Sequence, residues 1–320
     1  MDIAGRSLFR HQAFVYRGEP QYLRGVAAFV AEGASADEAV LVAVDGAERT
    51  ALLREALAQY EELVEFTDLA RLSPNPGRLT SLWLDWAERN SASGRGFRGV
   101  CEPELASRGA EELVELRRHE RSLDHAFRHG PAWSLQCPFD AEALSAEVLG
   151  DARSGHPSLQ GDSGGGLLES PDYAYPEPFF DSELTAPLPQ PADVAVALDF
   201  DAESLARVRG LVRSSAAELG LDQAKLIDFI LVTSELATNS VRHGGGTGSL
   251  RLWRENGYAV CEVRDRGVII DPLAGLRPPD FRKGVGGAGL WAINRVCALV
   301  AIRTSPQQGT VVRAHLALAG

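Results

Sequence analysis

The chain has 320 residues, of which 45% are hydrophobic and 24% charged, an ordinary globular composition with apolar material for two cores. A formal net charge of −12 at pH 7 excludes a broad nucleic-acid-binding surface. No stretch approaches the roughly 18 uninterrupted apolar residues of a membrane span, and the charged first residues, without an apolar core, predict no signal peptide. The four cysteines, Cys101, Cys137, Cys261 and Cys297, share no CxxC-type spacing. That argues against a zinc finger and for buried, reduced thiols.

Residues 9 to 150 alternate short apolar runs with helical patterns. Ala13–Tyr16 reads as a strand, 21–32 as an amphipathic helix, and Ala39–Val44 as a continuously apolar, buried parallel strand. A helix over 48–59 follows, then a weak strand at 64–66, a helix over 79–89 and a short strand at 97–101. A long charged helix over 110–127, a strand at 133–139 and a helix over 141–149 complete the pattern. This alternation predicts an α/β domain with a mainly parallel sheet, over residues 1–158. Neither early strand leads into GxxxxGK[ST], so the domain carries no Walker loop. His119, in Arg118-His119-Glu120-Arg121, reads as a surface helix residue.

The stretch 159–193 is acidic, rich in Pro and Gly, and contains no Lys or Arg, which predicts a linker. Its aromatic cluster, Tyr173, Tyr175, Phe179 and Phe180, suggests packing on one of the domains or on a second subunit. A second domain over 194–320 begins with a strand at 194–200 and a helix over 205–219. An apolar helix follows from about Leu221 to Gly244. Strands at 249–255 and 258–265 flank Asn256-Gly257, a hairpin turn signal. A Pro- and Gly-rich loop, a helix over 290–298 and a last hairpin (299–304, 310–318) close an α+β pattern with helices on one face.

Three pieces of this domain carry chemistry. On the long helix Glu235, Asn239 and His243 recur every fourth residue and share a face. On these residues alone a solvated polar stripe is the default reading. A strand then ends in Asp265-Arg266-Gly267. Gly284-Val285-Gly286-Gly287-Ala288-Gly289 finally precedes a helix, where glycines let backbone amides approach phosphate and the helix terminus favours negative charge. The ordered set is far more specific than any one part.

This set resembles the GHKL ATPases and, within them, the bacterial anti-sigma-factor serine/threonine kinases, over roughly residues 194–318. The resemblance implies a Bergerat-type ATP-binding α+β sandwich. It implies Asn239 as Mg²⁺ ligand between phosphates, Glu235 as general base and Asp265 as acceptor from the adenine amine. Gly267 belongs to the same box as Asp265, Gly284, Gly286, Gly287 and Gly289 cover the phosphates, and Thr310 lies on the adenine side. The cofactors it implies are ATP and Mg²⁺. Its implied partners are a sigma factor and a STAS-type antagonist, with no direct nucleic acid, no membrane, a possible homodimer and a cytoplasmic location. Two positions depart from the pattern: Ile269 stands where the family usually has a second glycine, and Ala288 where many members have arginine. They keep open an alternative, a non-catalytic, sigma-sequestering or small-molecule-gated binding protein.

Residues 9–158 resemble the MEDS sensory domain, a degenerate relative of the recombinase-type P-loop fold. The likeness rests on His11-Gln12-Ala13-Phe14-Val15-Tyr16, Cys137-Pro138-Phe139-Asp140 and His156-Pro157. It implies a small-molecule ligand, with His11 and Tyr16 as candidates for the ligand side. The alternative is that His11 caps the first strand and Tyr16 belongs to the core.

Overall fold

A computed structural model of the chain describes residues 8–72, 75–160, 166–173, 185–279 and 288–318. Its contacts separate two compact units: residues 1–73 with 82–176, and residues 74–81 with 177–320. The last of these breaks, between residues 176 and 177, falls inside the acidic segment.

The first unit is built on a seven-stranded sheet ordered β3-β2-β4-β5-β1-β6-β7. The strands are β1 (Phe9–Tyr16), β2 (Ala39–Val44), β3 (Val64–Asp68), β4 (Phe97–Glu102), β5 (Trp133–Asp140), β6 (Ser158–Gln160) and β7 (Leu167–Glu169). All pairs are parallel except β6–β7. The helices are α1 (Gly18–Ser35), α2 (Ala47–Ala56), the single turn α3 (Leu69–Leu72), α4 (Pro76–Ser93, of which the part from Leu82 on belongs to this unit), α5 (Ala110–Phe127) and α6 (Ala146–Gly155). Every residue of β2 is buried, which is why its sequence runs apolar without alternation. On β1, Phe14 and Tyr16 join Tyr22, Val26 and Val30 of α1 and Leu53 of α2 in one core. His11 points to the opposite face, because successive side chains alternate across a strand.

Two local differences from the sequence reading have clear causes. The last helix begins at Ala146, not 141. Asp140 captures the preceding residues in a turn, accepting Glu142 N on its side chain (2.8 Å) and Leu144 N on its carbonyl (3.0 Å). Ser145 then caps the helix by accepting Val148 N. The second difference lies in the acidic segment: β7 extends the sheet, and the Tyr173 hydroxyl donates to Asp124 Oδ2 at 3.0 Å. Only Arg17 separates β1 from α1, so no phosphate-cradling loop fits there, as the missing Walker motif predicts.

The second unit holds a five-stranded, fully antiparallel sheet ordered β11-β12-β10-β9-β8. These strands are β8 (Val196–Asp201), β9 (Thr247–Glu255), β10 (Tyr258–Asp265), β11 (Leu299–Ser305) and β12 (Gly309–Ala317). Helices α7 (Leu205–Ser214), α8 (Gln223–His243) and α9 (Ala288–Val296) complete it. Helix α7 stops at Ser214, short of 219, where the Ser214 hydroxyl turns back to Leu211 O. The β9–β10 turn has Asn256 at φ +48° and Gly257 at +82°, as a type I′ hairpin requires. One sheet face (Leu250, Leu252, Cys261, Val263, Val312, Ala314) packs against Phe229, Leu236 and Ala237 of α8, Val208 and Val212 of α7, and Ile293 of α9. The α/β and α+β expectations are both met. All four cysteines are buried and free, and no described helix is long and apolar enough to cross a membrane.

Candidate functional site

Helix α8 is anchored at its start by Asp222, whose side chain accepts Lys225 N at 2.8 Å. Its buried residues recur at Phe229, Val232, Thr233, Leu236, Ala237 and Ser240, an apolar face that fixes the rotation of the helix. That rotation leaves Glu235 and Asn239 half-buried on the adjoining stripe, one turn apart. Gly289, in the first turn of α9, comes up against both. A Cβ there would lie 2.5 Å from Glu235 Oε2 and 3.3 Å from Asn239 Nδ2, so only glycine permits the approach.

The carboxy-terminal end of α8 is tied to the end of β10. Asp265 Oδ2 accepts the Ser240 hydroxyl at 2.6 Å, Asp265 Oδ1 accepts Gly267 N at 2.8 Å, and Arg266 N donates to Gly244 O at 3.1 Å. Gly267 is required here, since a Cβ would sit 2.5 Å from His243 O. Asp265 pairs across the sheet with Thr310, whose hydroxyl donates to Gly267 O at 2.9 Å and meets Thr304 Oγ1 at 2.8 Å. Thr304 in turn accepts Ile269 N at 3.1 Å.

A cavity of about 310 Å³ opens between these elements, lined by Asn239, Ser240, His243, Asp265, Gly267, Ile269, Gly289 and Thr310 among others. This is the size of a small-ligand site. Five of the residues expected from sequence therefore share one wall: Asn239, Asp265, Gly267, Gly289 and Thr310. Glu235 is not on that wall; it stands beside it, next to Asn239 and Gly289. Gly284, Gly286 and Gly287 lie outside the described residues. His243 is exposed on the rim. Ser240 and Thr304, which hold Asp265 and the Ile269 loop, carry no signal of their own in the sequence.

In the first unit, His11 and Tyr16 face opposite sides of the sheet and share no site. The Tyr16 and Tyr22 hydroxyls both donate to Glu102, at 2.9 and 2.5 Å. Burial first, then the Glu102 charge, pushes both phenols well up. Burial also raises the Glu102 carboxyl, although Arg49 opposes this. His11 is fully buried between Asp124 and Glu120. Burial disfavours its charged form, but Asp124, aided by Glu120, outweighs this and pushes it up to about 9. His119 is not a surface residue: it is 3% exposed, and burial lowers it to about 4. The α5 face that carries it is turned inward by Leu116, Leu123 and Phe127.

The two units define a class: an α/β unit joined to an α+β unit with a ligand-sized cavity at the end of a helix that bears Glu and Asn. Comparison with known families makes this particular. Residues 10–157 match MEDS: MEthanogen/methylotroph, DcmR Sensory domain. Residues 198–316 match the Histidine kinase-like ATPase domain. The chain thus carries a MEDS domain followed by a histidine-kinase-like, GHKL-type ATPase domain. No curated protein matches it.

Proposed function

We propose that the chain is a sensor-linked anti-sigma regulatory factor. It binds Mg-ATP in the second unit, phosphorylates a Ser or Thr of a STAS-type antagonist, and so sets how much sigma factor is free for transcription. A small molecule on the first unit, a degenerate recombinase-like fold, controls that activity, and the protein acts in the cytoplasm as a homodimer. The observation that carries this reading is the convergence of Asn239, Asp265, Gly267, Gly289 and Thr310 on one cavity, with Glu235 one turn from Asn239.

The residues present suit the nucleotide. Among the described residues each Asp265 oxygen has one donor, and a carboxylate oxygen can accept a second hydrogen bond, here from an exocyclic amine. Gly289 leaves open the space that a side chain would fill above Glu235 and Asn239. Asn239 offers a neutral oxygen to Mg²⁺, a hard cation that prefers oxygen ligands. When bound, Mg-ATP supplies the phosphoryl group. Glu235 accepts the proton of the target hydroxyl, and Ser240 holds the Asp265 carboxylate in place.

The test uses the full chain, labelled ATP and a candidate antagonist. Transfer by the wild type is expected, with Glu235→Ala losing about 10²–10⁴-fold in rate while still binding nucleotide. A second reading, sequestration without phosphotransfer, is favoured by Ile269, which occupies the cavity wall in place of a glycine. Wild-type chain that binds ATP but transfers nothing would overturn the kinase reading and leave this one.

A further inference from the structure

The residues that carry the MEDS resemblance come together in space. His11 lies on β1, Cys137 on β5, Glu120 on α5, and His156 directly after α6. One donor atom from each lies within 4.8 Å of all the others. Glu120 Oε2 is 3.0 Å from His11 Nε2, 3.4 Å from His156 Nε2 and 3.8 Å from Cys137 Sγ; Cys137 Sγ is 3.5 Å from His11 Nε2. Bonds of about 2.0–2.3 Å to a tetrahedral ion place its donors about 3.3–3.7 Å apart, close to these separations.

The hydrogen bonds on the far side of each imidazole fix which nitrogen points inward as a lone pair. His156 Nδ1 is 2.7 Å from Ala152 O. A carbonyl only accepts, so Nδ1 carries the proton, and neutral His156 turns the Nε2 lone pair toward the Glu120 carboxylate. No hydrogen bond satisfies that buried nitrogen. His11 Nδ1 is 3.0 Å from Asp124 Oδ1, and the other Asp124 oxygen accepts from Tyr173. The neutral form of His11 likewise aims Nε2 at Glu120 and Cys137. In this buried space the Glu120 carboxylate needs a positive partner, which is either a proton on His11 Nε2, 3.0 Å away, or a cation among the four donors. Carboxylate and carbonyl partners on the outer ring nitrogens are the usual second shell of metal-bound histidine.

We propose that His11 Nε2, His156 Nε2, Cys137 Sγ and Glu120 Oε2 bind one divalent ion of the zinc class, a borderline-soft cation suited to a mixed nitrogen, sulfur and oxygen set. Glu120, Cys137 and His156 also line a cavity of about 50 Å³ walled by Leu105, Leu113 and Phe139. The ion therefore faces a small, mostly apolar chamber, in which a compact ligand with one metal-binding atom is recognised. Without the ion, burial and then the Glu120 charge hold the Cys137 thiol protonated, well above its ordinary value; with it, the thiolate is a ligand. This site does not depend on the nucleotide reading.

The full chain, stripped by chelator and titrated with Zn²⁺ or Co²⁺, is expected to bind one equivalent. The Co²⁺ form is expected to show a sulfur-to-metal charge-transfer band. Cys137→Ser abolishes that band, and His156→Ala abolishes stoichiometric binding. Asp124→Asn keeps the ligands and weakens affinity about 10–100-fold. A wild-type far-ultraviolet circular dichroism spectrum and a cooperative thermal transition in each variant establish that the chain has folded. Two results overturn the proposal: wild-type chain that takes up no stoichiometric metal, with His11 as an imidazolium paired to Glu120, or a Co²⁺ band that survives Cys137→Ser.

Discussion

Asp265 is the residue on which the candidate nucleotide site turns, because it both receives and is held. Ser240 and Gly267 N occupy one acceptor direction on each oxygen. Removing the carboxylate costs the proposed base contact and strands the Ser240 hydroxyl, which is 1% exposed. Asp265→Ala is expected to weaken ATP binding about 10–100-fold, or about 1.5–3 kcal/mol, measured by isothermal titration. Asp265→Asn is expected to narrow the preference for ATP over GTP by about tenfold or more, since the carboxylate accepts from an amine where guanine presents a carbonyl. Asn239, Asp265 and Gly267 were legible in sequence because each has a fixed offset within a helix or strand-end motif. Ser240 was not, because a serine on a helix has meaning only through the aspartate it meets. The MEDS resemblance marked Cys137 and His156 individually, but that Glu120, Cys137 and His156 meet was not legible, for a different reason. They come from three elements that only the parallel sheet brings together, so no spacing records them. His119 drew notice for its residue type, and its neighbour Glu120 proves to face the cluster.

At the scale of elements, the β10–β12 pair builds the site on one side and balances charge on the other. Gly309 opens β12 with φ +74°, and a Cβ there would run into the Asp265 backbone. Gly309→Ala is expected to cost about 1–3 kcal/mol through strain and collision, read by denaturant unfolding, and to loosen nucleotide binding by displacing Asp265. On the opposite face of β10, Glu262 is completely buried among arginines. Arg313 reaches Oε2 with Nη2 at 2.7 Å and Nε at 3.1 Å, and Arg264 Nε reaches Oε1 at 2.8 Å. Burial opposes ionisation of Glu262, but Arg264 and Arg313 outweigh it and hold the carboxyl below its ordinary 4.5. The unfolded chain therefore binds this proton more readily than the native one. The stabilisation is complete above about pH 4.5 and is lost as pH falls through the lower native value. Glu262→Gln is expected to cost about 3 kcal/mol at pH 7 by leaving buried Arg313 without a counter-charge. The gap between the two proteins should close as unfolding is repeated at progressively lower pH below 4.5. The strand patterns themselves were legible, since apolar runs and alternation follow from burial on two faces or one. Element ends were less so: the Asp140 turn displaced the start of α6, and the three residues of β7 are too few to register a period.

For the whole molecule, the change from alternating strands and helices to an antiparallel pattern made two units legible, and both match known domain families. The acidic segment was less legible, because part of it serves the first unit as an edge strand and as the Tyr173 hydroxyl on Asp124. Two units with two separate ligands make a thermodynamic prediction that neither makes alone. A ligand that binds only the native state raises stability by about 2.7 kcal/mol at one hundred times its dissociation constant. Mg-ATP is expected to raise the melting temperature of the unit that holds it, with the shift lost in Asn239→Ala and retained in Glu235→Ala. A shift that persists in Asn239→Ala would place the nucleotide elsewhere. If the first unit gates the second, a ligand on the first changes the ATP affinity by some factor, and ATP changes the affinity for that ligand by the same factor. Titrating Co²⁺ with and without saturating Mg-ATP, and Mg-ATP with and without Co²⁺, measures both sides of that equality. Equal factors different from one establish gating through the metal site. Factors of one in both directions make the ion a fixed structural part of the sensory unit and leave control to whatever enters the chamber beside it.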